Sequence, residues 1–152
     1  MTTTVTSVDE LTALTGKHLG YSAWREITQE QINTFADATD DHQWIHIDPE
    51  RAAAGPFGTT IAHGFLTLSL VIPMWSEILH FEGVRLGVNY GLNKVRFVSP
   101  VPVGSKIRTG ATLVSVETVA DGSLQIVVDF VIEREGAEKK CCIAQGLYRF
   151  YV

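Results

Sequence analysis

The chain has 152 residues, of which 45% are hydrophobic and 19% are charged, and its formal net charge is −5 at pH 7. A single domain over residues 1–152 is expected at this length. The negative charge and the absence of any lysine or arginine cluster argue against nucleic acids and membranes as main partners, whereas a small anionic ligand would need only a few local cations.

The first half of the chain carries signals for helix starts. "SVDE" at 7–10 and "TQEQ" at 28–31 each have the form of a capping box, in which a Ser or Thr side chain accepts a hydrogen bond from the amide three residues later. Asp48 and Pro49 suit the N-cap and the first turn of a third short helix, which Gly55 would end. We therefore predict helices that begin after residues 7, 28 and 48.

A longer helix is predicted from about Gly64 to Leu79. Residues 52–76 contain no Asp, Glu, Lys or Arg, and residues 65–75 are almost entirely apolar. This apolar part is shorter than the ~20 residues that cross a bilayer, and a helix that is apolar on nearly all sides is normally surrounded by protein. We therefore predict a buried core helix that Pro73 kinks or divides.

The second half has the pattern of antiparallel strands. Apolar and polar residues alternate along 125–133, and Asp121-Gly122 predicts a hairpin turn. The predicted strands cover residues 84–90, 93–98, 106–120, 123–134 and 139–151. The fold class is therefore α+β, with an antiparallel sheet wrapped around the long central helix.

The N-terminal segment and the cysteines indicate the cellular location of the protein. The N-terminal segment "MTTTVTSVDELTAL" lacks the basic region and apolar run of a secretory signal. Cys141 and Cys142 are adjacent, and neighbours in a strand point to opposite faces, so they are poorly placed to bridge each other. We therefore expect no disulfide and a cytoplasmic location.

Residues 40–49, "DDHQWIHIDP", concentrate carboxylates and histidines. His42 and His46 have the spacing of a zinc-protease helix, but Gln43 stands where that motif needs Glu, and a metal would need a further ligand such as His63. We therefore expect no metal site at this segment.

An acid–base pair is the better interpretation of the same segment. Asp41 follows one predicted helix and His46 precedes another, so both side chains could hold one water near neutral pH. The spacing alone leaves an alternative open, in which Asp40 and Asp41 only end a helix and His46 only satisfies the backbone.

"AHG" at 62–64 opens the apolar helix. The first amides of a helix have no partners within the helix, so the Gly64 amide could bind an oxyanion or a thioester carbonyl. Alternatively, Gly64 only lets the helix pack closely against the sheet. We expect His63 to be a structural hydrogen-bonding residue.

These residues carry a resemblance to a known family. "FADATDDHQWIHIDPERAAAGPFGTTIAHGFLTLSL" (35–70) resembles the hydratase-2 motif of the MaoC-like (R)-specific enoyl-CoA hydratases, and "NYGLNKVRFVSPVPVGSKI" (89–107) resembles the strand that follows their central helix. The resemblance implies the hot-dog fold, a homodimer, an acyl-CoA or acyl carrier protein thioester as substrate, and no cofactor. It also implies that Asp41 and His46 are catalytic and that the Gly64 amide forms the oxyanion hole.

The implied reaction is hydration of trans-2-enoyl thioesters to (3R)-3-hydroxyacyl thioesters, or the reverse. A hot-dog thioesterase and the catalytic subunit of a heterodimeric 3-hydroxyacyl-ACP dehydratase are the alternatives. The sequence departs from the family pattern at Asp40 (usually Gly), Gln43 (usually Asn) and Trp44 (usually Pro). We expect substrate preference to depend on Gln43 and Trp44, and we expect Trp44, Phe65 and Leu66 to be candidates for contact with the acyl chain. Candidate cations for the nucleotide end are Lys94, Arg96, Lys106 and Arg108.

Overall fold

The computed structural model describes residues 1–152. Its helices are α1 (Val8–Thr12), α2 (Gln29–Thr39), α3 (Trp44–Ile47), α4 (Pro49–Ala53), α5 (Gly64–Ser69) and α6 (Val71–Ile78). Its strands are β1 (Thr3–Val5), β2 (His18–Tyr21), β3 (Arg25–Glu26), β4 (Leu79–Phe81), β5 (Leu86–Phe97), β6 (Lys106–Thr118), β7 (Leu124–Arg134) and β8 (Cys142–Tyr151).

The main sheet is antiparallel and has the strand order β2-β6-β7-β8-β5, with β3 also paired to β6. The short strands β1 and β4 form a separate parallel pair. The sheet packs against α6, where the ring of Trp75 meets that of Phe130 on β7 edge to face at 5.6 Å. This arrangement confirms the predicted α+β architecture of a sheet around a central helix.

The predicted helix starts are confirmed by their hydrogen bonds. The side chains of Ser7, Thr28 and Asp48 accept from main-chain amides three residues later, at 3.2, 3.1 and 3.0 Å respectively. Such bonds satisfy amides that have no partner within the helix. The helix predicted to begin after residue 48 is α4, and it ends at Ala53, just before Gly55.

The central helix is divided in two, as predicted: α5 ends at Ser69 and α6 begins at Val71. Pro73 lies in the first turn of α6, where it has no N–H to donate to the carbonyl four residues earlier. The prediction of burial on nearly all sides is wrong for the single chain. Phe65 is 69% exposed and Ile72 is 41% exposed, so one face of the two helices lies at the surface.

The strand predictions are correct in outline and wrong in two places. The segments predicted as two strands at 84–90 and 93–98 form one strand, β5, whose pairing with β8 shifts register twice. The sequence also gave no sign of β1, β2, β3 and β4, since strands this short show no clear alternation.

The predicted hairpin turn agrees with the structure. The β6–β7 hairpin turns through 119–123, where Gly122 has a φ of 83° and the Asp121 carboxylate accepts from the Ser123 amide at 2.9 Å. Cys141 and Cys142 are buried free thiols. No helix has the length and apolar character needed to cross a membrane.

Candidate active site

Asp41 lies just beyond the end of α2. The C-cap residue of this helix, Asp40, has a φ of 63°, a left-handed conformation that favours glycine, the usual residue here in the family pattern. The Asp40 side chain is 98% exposed, and His42 donates from Nε2 to Asp37 at 2.9 Å. This hydrogen bond raises the pKa of His42. Asp40 and His42 are exposed and their side chains bond only to each other or to Asp37, so we place them at the periphery of the site. Asp41 is also exposed.

His46 belongs to α3, a short helix where the sequence predicted a loop. Its Nδ1 lies 2.7 Å from the carbonyl oxygen of Ile61. A carbonyl can only accept, so Nδ1 carries the proton and Nε2 keeps a free lone pair. Burial lowers the pKa of His46, an effect that the proximity of His63 adds to and that the Ile61 hydrogen bond and Asp41 oppose. The imidazole is therefore held in the neutral form that can accept a proton.

The structure brings Asp41 and His46 together, and it adds His63. One ligand atom of each residue lies within 4.8 Å of the other two. The rings of His46 and His63 are stacked, with centroids 3.9 Å apart and planes inclined by 23°. Each lone pair lies in the plane of its own ring, so the lone pairs of two stacked rings lie in separate, nearly parallel planes. An ion held ~2.0 Å from one nitrogen in its ring plane would therefore lie outside the plane of the other ring. The geometry favours an acid–base group over a metal site.

Two polar residues that the sequence did not single out fix the main chain around His46. Gln29 donates from Nε2 to the carbonyl of His46 at 2.8 Å and accepts from the hydroxyl of Thr60 at 2.5 Å. The amide of Ile61 donates to the carbonyl of Ile45 at 3.0 Å. These contacts link α2, α3 and the segment before α5, and no local sequence signal reveals them.

A cavity of about 300 Å³ opens beside His46 and Gly64. Its lining residues are His46, Phe57, Ile61, Ala62, Gly64, Thr67, Phe97, Val98, Ser99, Pro100, Val101 and Cys141. Gly64 is the first residue of α5, as predicted, and an added Cβ would lie 3.1 Å from the ring of Phe97. Asp41 does not line this cavity. Two of the three predicted site residues, His46 and Gly64, therefore line one cavity, and Asp41 lies within 4.8 Å of His46.

The expected acyl-contact residues lie elsewhere. Trp44 does not line the cavity; its ring packs on Gly55 and lies 4.4 Å from the guanidinium carbon of Arg51. Phe65 points to the surface, and Leu66 lines a separate groove along α2. None of Trp44, Phe65 and Leu66 lines this cavity, and their contact with an acyl chain stays a prediction.

Among the candidate cations, Arg108 is already occupied. It pairs with Glu133 at 2.6 Å, and its guanidinium lies over the rings of Tyr21 and Trp24. Lys94, Arg96 and Lys106 are exposed and form no ion pair.

Similarity to known proteins identifies the family of the chain. A family model described as a MaoC like domain matches residues 10–134. The chain belongs to the MaoC-like dehydratase family. A curated relative, 3-hydroxyacyl-thioester dehydratase Z of Mycobacterium tuberculosis (strain ATCC 25618 / H37Rv), is 54% identical over 147 residues, which are 97% of each chain. This MaoC-like chain is therefore an enzyme of the hydro-lyase type.

Solved MaoC-like structures agree in fold. A monoamine oxidase regulatory protein from Archaeoglobus fulgius has a TM-score of 0.80 at 23% identity and covers 99% of this chain and 97% of its own. An (R)-hydratase from A. caviae involved in PHA biosynthesis has a TM-score of 0.74 at 19% identity and covers 90% of this chain and 96% of its own. These likenesses confirm the predicted hot-dog fold.

Proposed function

We propose that the chain catalyses the reversible hydration of trans-2-enoyl thioesters to (3R)-3-hydroxyacyl thioesters. The observation that carries this proposal is the proximity of the Asp41 carboxylate to the His46 imidazole, within 4.8 Å, beside a cavity that also contains Gly64. The name of the 54% identical relative, a 3-hydroxyacyl-thioester dehydratase, supports the substrate class. The (R) configuration rests on the resemblance to the hydratase-2 motif.

In the hydration direction, Asp41 and His46 hold one water against C3 of the enoyl group. Nε2 of His46 has the free lone pair because Nδ1 donates to Ile61. The pair takes one proton from the water as the oxygen adds to C3, and it delivers one proton to C2. Hydrogen and hydroxyl are thus added without net consumption of protons, and such a positioned acid–base group contributes ~10²–10⁴-fold to the rate.

Negative charge develops on the thioester oxygen as the water adds. We assign the Gly64 amide to this oxygen, since Gly64 begins α5 and lines the cavity beside His46. The first amides of a helix are unpaired donors, and a preformed donor is worth more in a site from which water is excluded. Because Gly64 has no side chain, a substrate can approach this amide closely.

The substitutions Asp41→Asn and His46→Gln test the assignment, with Asp40→Asn and His42→Gln as matched controls. The controls make the same chemical changes at exposed neighbouring positions. We expect each site variant to fold and to lose crotonyl-CoA hydration by ~10²–10⁴-fold, and each control to stay within about threefold of the wild type. Near-full activity in either site variant would show that the pair is wrongly assigned.

The same assay distinguishes the proposed reaction from thioester hydrolysis. Hydration removes the ultraviolet absorbance of the enoyl thioester and releases no thiol, whereas a thioesterase releases free CoA that a thiol reagent detects. The configuration of the 3-hydroxyacyl product is determined in parallel. An (S) product or stoichiometric thiol release would contradict the proposed reaction.

We further propose that two copies of the chain associate through β5. This strand pairs with β8 on one side only, and it exposes large apolar side chains, namely Leu86, Val88, Tyr90, Leu92 and Phe97. Phe65 and Ile72 on the central helices are exposed as well. A long apolar edge strand without a partner favours association with another chain.

The substitution Val88→Asp tests the interface, with Val114→Asp as the matched control. Val88 on β5 is 37% exposed and Val114 on β6 is 36% exposed, so both changes place one charge on an equally exposed valine. Light scattering of the purified wild type should give the mass of two copies, and only Val88→Asp should reduce it. A monomeric wild type would contradict the proposal and would favour a second, different subunit.

A further inference from the structure

We propose that His63 is a positioning residue that holds Asp41 and His46 in their catalytic arrangement; this inference rests on the function proposed above. His63 is the N-cap residue of α5 and is only 2% exposed. It contacts both members of the pair without lining the cavity beside His46. His63 makes three contacts, with the Asp41 main chain, the His46 ring and Phe35 on α2.

The first contact fixes Asp41. Nε2 of His63 lies 3.0 Å from the main-chain carbonyl oxygen of Asp41, so this nitrogen carries the proton and donates it. Neither the amide nor the carbonyl of Asp41 makes another hydrogen bond within the chain. Asp41 follows the left-handed residue Asp40 at the end of α2. The main-chain position of Asp41 therefore depends on a hydrogen bond to a residue 22 positions away, while its carboxylate accepts from the nearby Gln43 amide at 3.5 Å.

The second contact orients His46. The two imidazole rings are stacked at 3.9 Å, while Nδ1 of His46 donates to Ile61 in the ring plane. The carbonyl fixes one edge of the His46 ring, and the stacked ring restricts rotation about that hydrogen bond. Together they determine the direction of the Nε2 lone pair. A loose ring would lose the alignment on which proton transfer depends, since a misplacement of about 1 Å can cost ~10²-fold in rate.

The third contact holds His63 itself. The ring of Phe35 on α2 lies 4.9 Å from the His63 ring, and Nδ1 of His63 is buried without a hydrogen-bond partner in the chain. His63 thus uses one polar atom, Nε2, and its ring contacts two other rings. A residue that only needed to fill this space could be a phenylalanine, whereas the hydrogen bond to Asp41 requires a donor.

The substitutions His63→Phe and His63→Gln separate these contributions. Phenylalanine keeps a stacked ring and removes the donor, whereas glutamine keeps an amide donor at a similar reach and removes the ring. We expect His63→Phe to lower kcat on crotonyl-CoA by ~10–100-fold with KM changed less than about threefold, because the interaction acts on catalytic geometry. We expect His63→Gln, which keeps the donor to Asp41 but lacks the ring that restricts His46, to have a kcat several-fold above that of His63→Phe and below that of the wild type.

The double variant Asp41→Asn/His63→Phe tests whether His63 acts through Asp41. If it does, His63→Phe should lower the residual activity of Asp41→Asn by less than about threefold, since effects within one catalytic unit are not additive. Additive losses would overturn the proposal, as would equal losses in His63→Phe and His63→Gln accompanied by equal falls in melting temperature. If His63→Phe does not fold, His63→Gln decides: a folded glutamine variant that has lost more than about 100-fold in kcat overturns the proposal.

An NMR measurement keeps this inference separate from the proposed reaction. If the wild type hydrates no enoyl thioester, the proposed function fails, and the histidine side-chain nitrogen resonances still report the geometry. The expected tautomers are Nδ1–H for His46 and Nε2–H for His63. The main-chain resonances of Asp41 should shift in His63→Phe and keep near-wild-type values in His63→Gln. The positioning role would be overturned by an Nδ1–H tautomer of His63. It would also be overturned if the Asp41 main-chain resonances did not shift in either His63 variant.

Discussion

Replacing Gly64 with alanine perturbs the helix start that faces the cavity. The new Cβ would lie 3.1 Å from three atoms of the Phe97 ring, so the ring must move by a few tenths of an ångström. Phe97 is 48% exposed in the single chain and lies at the end of β5, so the core does not enclose its ring on all sides. The change therefore adds a methyl group beside the Gly64 amide with little disturbance of the core.

The expected magnitudes differ for stability and for catalysis. Alanine in place of a helical glycine gains ~0.5–1 kcal/mol from backbone entropy, which the contact with Phe97 offsets in part. The melting temperature should therefore stay within about 4 °C of the wild type. Loss of one oxyanion donor costs ~10²–10³-fold in kcat, and a methyl group that only hinders approach should cost somewhat less, ~10–100-fold.

Steady-state hydration of crotonyl-CoA by the wild type, Gly64→Ala, Phe97→Leu and the double variant identifies the cause. If the methyl group obstructs the amide, the double variant should be as slow as Gly64→Ala even though Phe97→Leu relieves the close contact. If displacement of Phe97 is the cause, the double variant should return to the rate of Phe97→Leu. A kcat for Gly64→Ala within about twofold of the wild type would refute the assignment of this amide to the thioester oxygen.

Three further predictions follow from the site. Burial lowers the pKa of His46, so kcat/KM should fall in acid with an apparent pKa below the ordinary ~6.5. As the pH falls, the unfolded chain binds a proton at His46 before the folded chain does, so the folded state should lose stability below ~6.5. Thermal melts across pH should show a smaller loss in His46→Gln. Asp40→Gly should raise stability by up to ~1 kcal/mol in denaturant titrations, because Asp40 has a φ of 63°, and a marked fall would contradict this reading. Trp44→Leu should lower the stability of the fold, since the Trp44 ring packs on Gly55 and Arg51. The same variant should keep the wild-type preference among enoyl chain lengths in the hydration assay, and a changed preference would place Trp44 at the substrate.

The parts of the fold that the sequence predicted are those that depend on neighbours a few residues away. The caps at Ser7, Thr28 and Asp48 each involve an amide three residues later. The division of the central helix follows from one missing N–H at Pro73. In each case the interacting groups lie within one helical turn, so the local pattern contains all the information needed.

The sequence-based predictions that disagree with the structure concern features that depend on distant residues or on other chains. Strand β2 exists because its residues pair with β6, as in the His18–Thr112 pair, and four residues carry no period that would reveal this. The apolar pattern of the central helices also misled, because a core position and an interface position look alike in sequence. Phe65 and Ile72 are apolar although they are exposed in the single chain.

The candidate site likewise combines residues that the local sequence pattern indicates with residues that only the fold brings near. Asp41 and His46 are five residues apart, and their type and spacing were enough to nominate them. The groups that orient them come from positions 15 to 22 residues away, namely Ile61, Gln29 and His63. His63 was nominated only as a structural residue, because nothing in "AHG" indicates that its ring stacks on one member of the pair and donates to the other.

Trp44 and His46 lie two residues apart and use different faces of α3. In an α-helix, residues two positions apart point in directions that differ by about 200°. His46 uses the face of α3 that meets Ile61 and the cavity, so Trp44 must use the opposite face, where it packs on Gly55 and Arg51. A departure from the family pattern at position 44 therefore alters how α3 packs on α4. Substrate preference is better sought in the side chains that form the cavity wall with His46, such as Phe57, Phe97 and Cys141.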